Sequence, residues 1–296
     1  MSTNQKKLTA ILITSLLLAS IVVYAFNQKM EPVTKGPENG SLIVIGGAAK
    51  AAIFYEKFAE LAGGFDSEIV LIPTAAGEEY LSQDPGFENL KTQFSNKGFT
   101  KISVLHTTDP KEANDPDFYK ALETATGVWI TGGRQWRLAD SYLGTKTLET
   151  LKGVLVRGGV ISGSSAGATI QGSYLARGDT KTNTIMMGDH EEGFGFISNI
   201  AIDQHLLKRN RQFDIFDILD NRPELLGIGL DENTGVLVRG NQFEVIGESY
   251  VAIYDGKMWS DDTQAYRELP IGSREFYFLN AGMRYDMAKR EKVLKN

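Results

Sequence analysis

The chain has 296 residues, a formal net charge of −6, and 42% hydrophobic and 23% charged residues, which is the composition of a globular protein. It holds no cysteine, and this excludes a Cys nucleophile, a disulfide framework, a Cys-based zinc site and a lipidated Cys. No basic stripe interleaved with aromatic residues is present, so the sequence predicts no nucleic-acid partner.

The first predicted element is an apolar segment that follows Lys6 and Lys7 and spans residues 8–26 without a charge. Its length is close to the roughly 20 residues that a membrane anchor needs, whereas Val23-Tyr24-Ala25 suits the cleavage site of a signal peptide. Both interpretations stay open. Both place the rest of the chain outside the cytoplasm, either exported or anchored through this segment, which is the only membrane contact expected. Residues 27–40 are interpreted as a polar linker, so residues 1–40 are set apart from the folded domain.

From Ser41 onward, short apolar runs alternate with amphipathic segments. Phe54, Phe58 and Leu61, for example, recur at spacings of four and three, as one face of a helix does. This alternation predicts βαβ units in a three-layer α/β sandwich, with a mostly parallel sheet and helices on both faces. The predicted parallel strands are residues 42–45, 69–72, 102–105, 128–130 and 160–161.

The last of these strands runs into Gly159-Val-Ile-Ser-Gly-Ser-Ser-Ala-Gly-Ala168, which has the form of a nucleophile elbow. Ser165 sits in the turn between Gly163 and Gly167, where small residues let neighbouring backbone pass close by. A helix-compatible segment, residues 166–175, follows at once, and we expect the free N–H groups at its start to face an anion formed on a substrate. The motif therefore predicts a hydrolase.

An activated serine needs a base, and the base needs an orienting carboxylate. The chain has three histidines. His205 ends an apolar run, residues 200–205, that is predicted to be a strand, and His106 follows the predicted strand 102–105. Both are expected at the sheet edge where α/β proteins bind ligands. His190 lies in Asp189-His-Glu-Glu192, which is interpreted as a solvated loop. A metal interpretation of that cluster has little support because no second histidine lies at ligand spacing, and the sequence predicts neither a metal nor a cofactor.

Two adjacent acids, Asp231 and Glu232, follow a further predicted strand, residues 227–230. Neighbouring residues of a strand point to opposite faces, so only one of the two carboxylates can aim at the histidine. The residues alone leave open which acid and which strand-end histidine are used. They predict that three strand ends of one sheet carry a serine, a histidine and an acid.

The C-terminal part changes character, because close-spaced apolar runs with Gly-Asn or Asp-Gly turns nearby replace the strand–helix alternation. These runs predict an antiparallel extension of the sheet. Residues 41–296 are therefore expected to form a single α/β domain. The predicted antiparallel strands are residues 235–238, 243–246, 251–254 and 276–279.

A series of motifs lies in order along residues 41–255. The motifs are Leu42-Ile-Val-Ile-Gly-Gly47, Ile69-Val-Leu-Ile-Pro-Thr74, Thr131-Gly-Gly-Arg-Gln-Trp-Arg-Leu138, Gly163-Ser-Ser-Ala-Gly-Ala168, Asp203-Gln-His-Leu-Leu-Lys-Arg-Asn-Arg211, Gly227-Ile-Gly-Leu-Asp-Glu232 and Gly247-Glu-Ser-Tyr-Val251. In this order they resemble the cyanophycinase and aspartyl-dipeptidase group of serine peptidases, peptidase family S51, whose α/β fold is like that of class I glutamine amidotransferases.

The resemblance implies a catalytic triad in which Ser165 is the nucleophile, His205 the base and Glu232 the orienting acid. The order Ser, His, acid differs from the Ser, acid, His order of the α/β-hydrolases. On this basis His106 and Asp231 lie outside the triad.

The same resemblance implies the groups that hold the substrate. The N–H of Ala166, directly after the nucleophile, and the N–H of Gly133 are implied as oxyanion-hole donors, and Gln135 occupies the place of a substrate-contacting glutamine. Arg209 and Arg211 match the first two of three arginines that follow the histidine in cyanophycinases. They are interpreted as a clamp for substrate carboxylates, with a solvated helix face as the alternative.

Two positions depart from the family pattern. Asp214 holds the place of the third arginine, which argues against cyanophycin as the substrate, and it is predicted to pair with Arg211 if this stretch is helical. Arg134 holds a place that is commonly Asp, and it adds a basic group at the mouth of the pocket.

These observations predict a cyanophycinase-like serine exopeptidase or isopeptidase that hydrolyses aspartyl bonds in short acidic peptides through an acyl-enzyme. Its expected partner is a small acidic peptide, and the resemblance to dimeric enzymes allows a homodimer. The alternative is a non-catalytic ligand-binding protein on the same fold. A glutaminase of the amidotransferase type is excluded, because those enzymes use a Cys at the elbow and this chain has none.

Overall fold

The structure is a computed structural model that describes residues 33–260, 265–270 and 272–294. The predicted apolar segment, residues 8–26, and the cleavage site Val23-Tyr24-Ala25 lie outside the described residues, so the choice between signal peptide and anchor stays a prediction. Within the described part of the chain, no helix is both long enough and apolar enough to span a membrane.

The described part of the predicted linker, residues 33–40, packs against the fold. Thr34 is buried, and its hydroxyl donates a hydrogen bond to the Asn199 carbonyl at 2.9 Å. Lys35 forms an isolated antiparallel bridge with Ser198. Packed structure therefore begins before the predicted boundary at Ser41.

The strands of the described residues fall into two large sheets and one hairpin. In chain order they are β1 (Ser41–Ile45), β2 (Glu68–Ile72), β3 (Lys101–Val104), β4 (Gly127–Ile130), β5 (Val160–Ser164), β6 (Gly172–Tyr174), β7 (Ile197–Gln204), β8 (Leu226–Leu230), β9 (Thr234–Arg239), β10 (Gln242–Gly247), β11 (Tyr250–Tyr254), β12 (Lys257–Ser260), β13 (Ala265–Glu268), β14 (Tyr277–Asn280), β15 (Arg284–Asp286) and β16 (Glu291–Val293).

The helices lie mainly between the first five strands, as the βαβ pattern predicts. They are α1 (Ala52–Ala62), α2 (Glu78–Leu81), α3 (Glu88–Ser95), a 3₁₀ turn (Glu112–Asn114), α4 (Pro116–Thr124), α5 (Gln135–Tyr142), α6 (Lys146–Val156), α7 (Ala166–Thr169) and α8 (Phe216–Leu219).

The larger sheet has the strand order β16-β15-β10-β9-β1-β5-β4-β2-β3. The five predicted parallel strands are confirmed: β1, β5, β4, β2 and β3 pair in parallel. The antiparallel extension is confirmed for β9 and β10. Strand β9 pairs antiparallel with β1 on the side opposite β5, and β10 pairs antiparallel with β9. The carboxyl ends of the parallel strands therefore meet at one edge.

The second sheet, of order β14-β11-β8-β7-β6, corrects the prediction that one sheet carries all three functional strand ends. Strands β6, β7 and β8 pair in parallel with one another, and β11 joins them in antiparallel orientation. The physical reason lies in β1, whose two sides are already paired with β5 and β9. A strand that brings another residue to the end of β1 must therefore belong to a different sheet.

Helices cover both faces of the larger sheet, as expected for a three-layer α/β sandwich. Alternate residues of β1 divide between two cores: Ile43 and Ile45 pack with α1 on one side, whereas Leu42 and Val44 pack on the other with α6 and the second sheet. The shared second core contains, among others, Leu42, Val44, Ile72, Leu151, Ile202, Ile228 and Val251. This common core holds the two sheets against each other.

The helix after the elbow is shorter than predicted. Instead of continuing through residue 175, α7 ends at Thr169, and residues 172–174 form β6 beside β7. Gly172 disfavours a longer helix. The carbonyls of Ile170 and Gln171 accept hydrogen bonds from Phe194 and Ile197, so this backbone is already paired outside a helix.

Candidate active site

Ser165 stands directly after β5 in a strained turn. Its backbone has φ 58° and ψ −113°, a region that residues with a side chain rarely adopt and that occurs at functional sites. The turn is tight, since a Cβ on Gly163 would lie 2.0 Å from the Gly167 carbonyl oxygen. These features hold the Ser165 hydroxyl at the carboxyl edge of the sheet.

Ser165, His205 and Glu232 form a continuous hydrogen-bond relay. Ser165 Oγ lies 2.8 Å from His205 Nε2, and His205 Nδ1 lies 2.8 Å from Glu232 Oε1. An ionised carboxylate can only accept a hydrogen bond, so the proton of a neutral imidazole lies on Nδ1. The lone pair of Nε2 then faces the serine hydroxyl, which is the arrangement that general-base activation requires.

The electrostatics of His205 keep it ready to accept a proton. Burial of the imidazole is the main effect and lowers its pKa below the ordinary value, while the hydrogen bond to Glu232 acts in the opposite direction. The positive charge of Arg209 lowers the pKa further. At neutral pH the ring is therefore mostly uncharged.

Three successive carbonyls at the end of β1 hold the three parts of this relay. The Ile45 carbonyl accepts a hydrogen bond from the Ser165 N–H at 2.9 Å, and the Gly46 carbonyl accepts one from the His205 N–H at 2.8 Å. The Gly47 carbonyl accepts one from the N–H of Asn233, the residue after Glu232, at 2.8 Å. One short segment thus fixes strand ends from both sheets.

Gly47 also makes room for the imidazole. Its φ is +136°, and a Cβ there would lie 2.3 Å from His205 Cε1 and 2.6 Å from Nδ1. Heavy atoms of separate side chains cannot approach so closely. A glycine at this position is therefore needed both for the backbone conformation and for the place of the ring.

Asp231 lies beside the relay and serves the turn after His205. Its Oδ1 accepts hydrogen bonds from the N–H groups of Leu207 and Lys208 at 3.0 and 2.9 Å. Its Oδ2 accepts one from the Ser249 hydroxyl at 2.7 Å. Of the two adjacent acids, Glu232 faces His205 and Asp231 supports the backbone that carries it.

The two proposed oxyanion donors lie on either side of the serine turn. Ala166 is the first residue of α7, and Gly133 lies in the exposed loop between β4 and α5. Among the residues that the structure describes, none accepts a hydrogen bond from either N–H. Both donors are therefore available to a ligand oxygen.

The three substrate-binding residues that the resemblance implies, Arg209, Arg211 and Gln135, differ in their exposure to solvent. Arg209 is exposed, and no ion pair joins it to a described residue. Arg211 is buried, and its Nη1 donates to the carbonyl and side-chain oxygens of Gln204 at 3.1 and 3.2 Å. Gln135 is also buried, and its Nε2 donates to the Ala176 carbonyl at 2.7 Å. Of these three side chains, Arg209 reaches solvent.

Asp214 pairs with Arg177 and not with Arg211, which corrects the predicted local pair. Arg177 Nη2 lies 2.6 Å from Asp214 Oδ2, and the same guanidinium contacts both carboxylate oxygens of the buried Asp203 at 2.7 and 2.9 Å. The pairing is long-range because Arg177 is fully buried and needs anionic partners. The other residue that departs from the family pattern, Arg134, donates a hydrogen bond through Nη2 to the backbone carbonyl of Asp179.

The other two histidines form no hydrogen bond with Ser165, His205 or Glu232 among the described contacts. His106 Nδ1 lies 3.0 Å from the Thr74 hydroxyl, and its Nε2 lies 3.5 Å from Glu78. His190 lies between Asp140 and Asp189, at 2.7 and 3.1 Å. Within the described residues, no group of three or more His, Asp and Glu side chains is arranged to hold a metal ion.

Sequence reasoning missed the role of the carbonyls at residues 45–47 and of the Arg177–Asp203 pair. The double glycine directly after β1 was the available signal for the carbonyls, because a strand that ends in Gly-Gly indicates close approach by other backbone. For the ion pair no local signal exists, since its partners are far apart in sequence.

Comparisons with known proteins show the family to which the chain belongs. The family model of peptidase family S51 matches residues 42–246. A cyanophycinase from Geminocystis herdmanii is 31% identical over 257 residues, which cover 83% of this chain and 93% of that protein. A cyanophycinase from Trichormus variabilis is 28% identical over 275 residues, with coverage of 89% and 91%.

A solved structure shares the fold. The crystal structure of a peptidase from an acI-B1 Actinobacterium superposes with a TM-score of 0.64 and covers 85% of this chain and 98% of that one. The two sequences are 24% identical, so this likeness concerns the architecture.

The steric role of Gly47 gives a direct prediction. Gly47→Ala should lower the rate at which a fluorophosphonate labels Ser165 by about 100-fold, because a Cβ would displace the His205 ring by about an ångström. Gly144→Ala is the matched control, since Gly144 also has a positive φ of 70° but no atom within 4 Å of an added Cβ. Labelling of folded Gly47→Ala protein at the wild-type rate would contradict the assignment.

Proposed function

The chain belongs to peptidase family S51, and from that premise we propose that it is a cyanophycinase-like serine peptidase that cleaves aspartyl bonds in short acidic peptides. It would act as an exopeptidase or isopeptidase, with Ser165, His205 and Glu232 as its catalytic triad. The single observation that carries the proposal is the unbroken relay from Ser165 Oγ through His205 to Glu232, with both distances at 2.8 Å.

The proposed reaction begins with attack of Ser165 Oγ on the scissile carbonyl carbon. His205 Nε2 takes the hydroxyl proton, and Glu232 stabilises the imidazolium through Nδ1–H. The N–H groups of Gly133 and Ala166 donate to the oxyanion of the tetrahedral intermediate.

Collapse of this intermediate breaks the C–N bond, and His205 passes its proton to the departing amine. The product of this half-reaction is an ester between Ser165 and the carbonyl carbon. A water molecule, deprotonated by His205, then attacks the ester and releases the acid and the free serine.

The substrate class rests on Arg209. This residue lies in the turn after His205, where its N–H donates to the His205 carbonyl at 3.0 Å, and the positive charge of its guanidinium lowers the pKa of the imidazole. The departing amine must lie beside His205 Nε2 to receive its proton. Arg209 is therefore suited to a carboxylate on the leaving residue, where a guanidinium can contact both oxygens. Arg211, bound to Gln204 inside the fold, is less suited to this task.

Cyanophycin itself fits this site less well than a short acidic peptide does. The position of the third arginine of cyanophycinases holds Asp214, whose carboxylate is paired with Arg177. A non-catalytic binding protein on the same fold is the alternative. Ligand binding alone does not require the hydrogen-bonded alignment of Ser165, His205 and Glu232, so this alignment favours the peptidase. Export and a homodimer stay predictions from the sequence.

The mechanism predicts the behaviour of two adjacent serines. Ser165→Ala should abolish peptide hydrolysis and leave thermal unfolding unchanged, because it removes the nucleophile without altering the core. Ser164→Ala is the matched control and should retain activity within a few-fold, since Ser164 contacts neither His205 nor Glu232 among the described hydrogen bonds. Mass spectrometry of the products that each variant releases from a small library of aspartyl peptides measures the two rates of hydrolysis. Hydrolysis by Ser165→Ala at the wild-type rate would exclude the mechanism.

The pH dependence follows from the surroundings of His205. The base must be unprotonated, so kcat/KM should fall as the pH decreases through a value below the ordinary histidine pKa of about 6.5. Arg209→Gln removes a positive charge that lowers this pKa, so the acidic limb should move to higher pH. Lys208→Gln removes a neighbouring exposed charge and serves as the control. An unmoved limb in Arg209→Gln would show that Arg209 does not act on His205.

A further inference from the structure

Asn233 joins the acid of the relay to the loop that follows β1. It comes directly after Glu232, and its backbone has a positive φ of 53°, a conformation that asparagine adopts more readily than most residues with a side chain. Its N–H donates to the Gly47 carbonyl at 2.8 Å, and its own carbonyl accepts a hydrogen bond from the N–H of Glu248 at 3.0 Å. The main chain of Asn233 is therefore bound on both sides.

The side chain of Asn233 makes a second connection to the same loop. Its Oδ1 accepts hydrogen bonds from the N–H groups of Lys50 and Ala51 at 2.9 and 2.8 Å. Ala51 is the N-cap residue of α1 and has no polar side chain with which to cap the helix. Three positions later, Phe54 cannot fold back onto the Ala51 N–H as the Glu or Gln of a capping box does. The amide oxygen of Asn233, 182 residues away in the sequence, takes that place.

The loop that Asn233 holds, residues 46–51, is the surface on which His205 lies. The imidazole is so close to Gly47 that a Cβ there would lie 2.3 Å from its Cε1, so a shift of this loop moves the histidine. A shift of Asn233 itself moves Glu232, the residue before it. Asn233 therefore connects both sides of the hydrogen bond between His205 and Glu232, which is 2.8 Å long.

The loop needs external contacts because its conformation is unfavourable by itself. Gly47 and Ala48 both have a positive φ, of 136° and 46°, and alanine rarely adopts such a conformation. Backbone of this kind persists where the surrounding structure holds it. The contacts that do so include the two to Asn233 Oδ1 and one from the Tyr55 hydroxyl, which donates to the Ala49 carbonyl at 2.9 Å. Without the amide oxygen, we expect the loop to relax.

We propose that Asn233 is a positioning residue of the triad, whose carboxamide oxygen holds the loop of residues 46–51 so that His205 stays aligned with Glu232. The inference rests on the proposed peptidase function and adds to it a residue that acts through the histidine and not on the substrate. Within the part of the chain that the structure describes, the Nδ2 of Asn233 donates no hydrogen bond. The role therefore belongs to Oδ1, the acceptor.

Two substitutions separate this acceptor from the rest of the side chain. Asn233→Gly keeps the positive φ without strain and removes the acceptor, whereas Asn233→Asp keeps an oxygen acceptor and removes the Nδ2 donor. In Asn233→Gly, kcat for an aspartyl peptide should fall by about 10- to 100-fold, because a small misplacement of a reacting group can cost that much. KM should change little, since no substrate contact is lost. Asn233→Asp should bring kcat back to within a few-fold of the wild type.

The pH profile distinguishes positioning from a general loss of stability. The hydrogen bond to Glu232 raises the pKa of His205, while burial and the charges of Arg209 and Arg211 lower it. When Asn233→Gly weakens the bond to Glu232, the pKa of His205 decreases, so the acidic limb of kcat/KM should move to lower pH. Asn233→Asp adds a negative charge near the imidazole, and its limb should move to higher pH.

Asn199→Gly is the matched control. Asn199 is also an asparagine with a positive φ, of 54°, and it lies in the first half of β7, where its Nδ2 donates to the Glu224 carbonyl at 2.8 Å. Its kcat and acidic limb should stay at the wild-type values. The proposal is overturned if folded Asn233→Gly keeps the wild-type kcat and limb, if Asn199→Gly loses as much activity, or if Asn233→Asp is as inactive as Asn233→Gly.

The rate at which a fluorophosphonate labels Ser165 gives the same comparison of variants without a peptide. If the wild type cleaves no aspartyl peptide, or if Ser165→Ala cleaves it equally well, the proposed function fails, while the labelling rates still decide the role of Asn233. A wild-type protein that neither cleaves a peptide nor reacts with the probe would refute the proposed function and the positioning role together.

Discussion

The arrangement of the site depends on three consecutive carbonyls at the end of β1. Those of Ile45, Gly46 and Gly47 accept hydrogen bonds from the backbone of Ser165, His205 and Asn233. Backbone-to-backbone bonds hold the main chain itself and leave the reacting side chains free. Because β1 is paired on both sides, its end is a rigid support for the main chain that carries the nucleophile, the histidine and the acid.

The arginines around His205 are divided between the interior of the fold and the solvent. Arg177 and Arg211 are buried and bound to Asp203, Asp214 and Gln204, where they order the chain around His205. Burial and the neighbouring Arg177 lower the pKa of Arg211 to about 10, so it stays charged at neutral pH. A removed partner would leave a buried charge uncompensated, which is strongly destabilising. Residues that resemble a substrate clamp in the sequence can therefore be part of the framework.

Much of the fold and of the site could be predicted from the sequence, because apolar runs that end in polar or small residues reveal strands and their carboxyl ends. That reasoning located Ser165, His205 and Glu232, and family order selected them over His106 and Asp231. The division into two sheets could not be predicted, since periodicity does not say which strand sides are already paired. The partner of Asp214 was missed for a related reason: sequence spacing suggests only local ion pairs, whereas a buried arginine takes its partner from wherever the fold places one.

The central claim is that Ser165 becomes acylated when a peptide is cleaved. Rapid acid quenching of the enzyme during turnover of a slowly hydrolysed aspartyl ester or peptide, followed by intact-mass and peptide-map mass spectrometry, tests it directly. The account predicts an added mass equal to the acyl group, located on the peptide that contains Ser165 and absent from Ser165→Ala. An adduct on another residue, or steady hydrolysis with no adduct at any quench time and no dependence on Ser165, would contradict it.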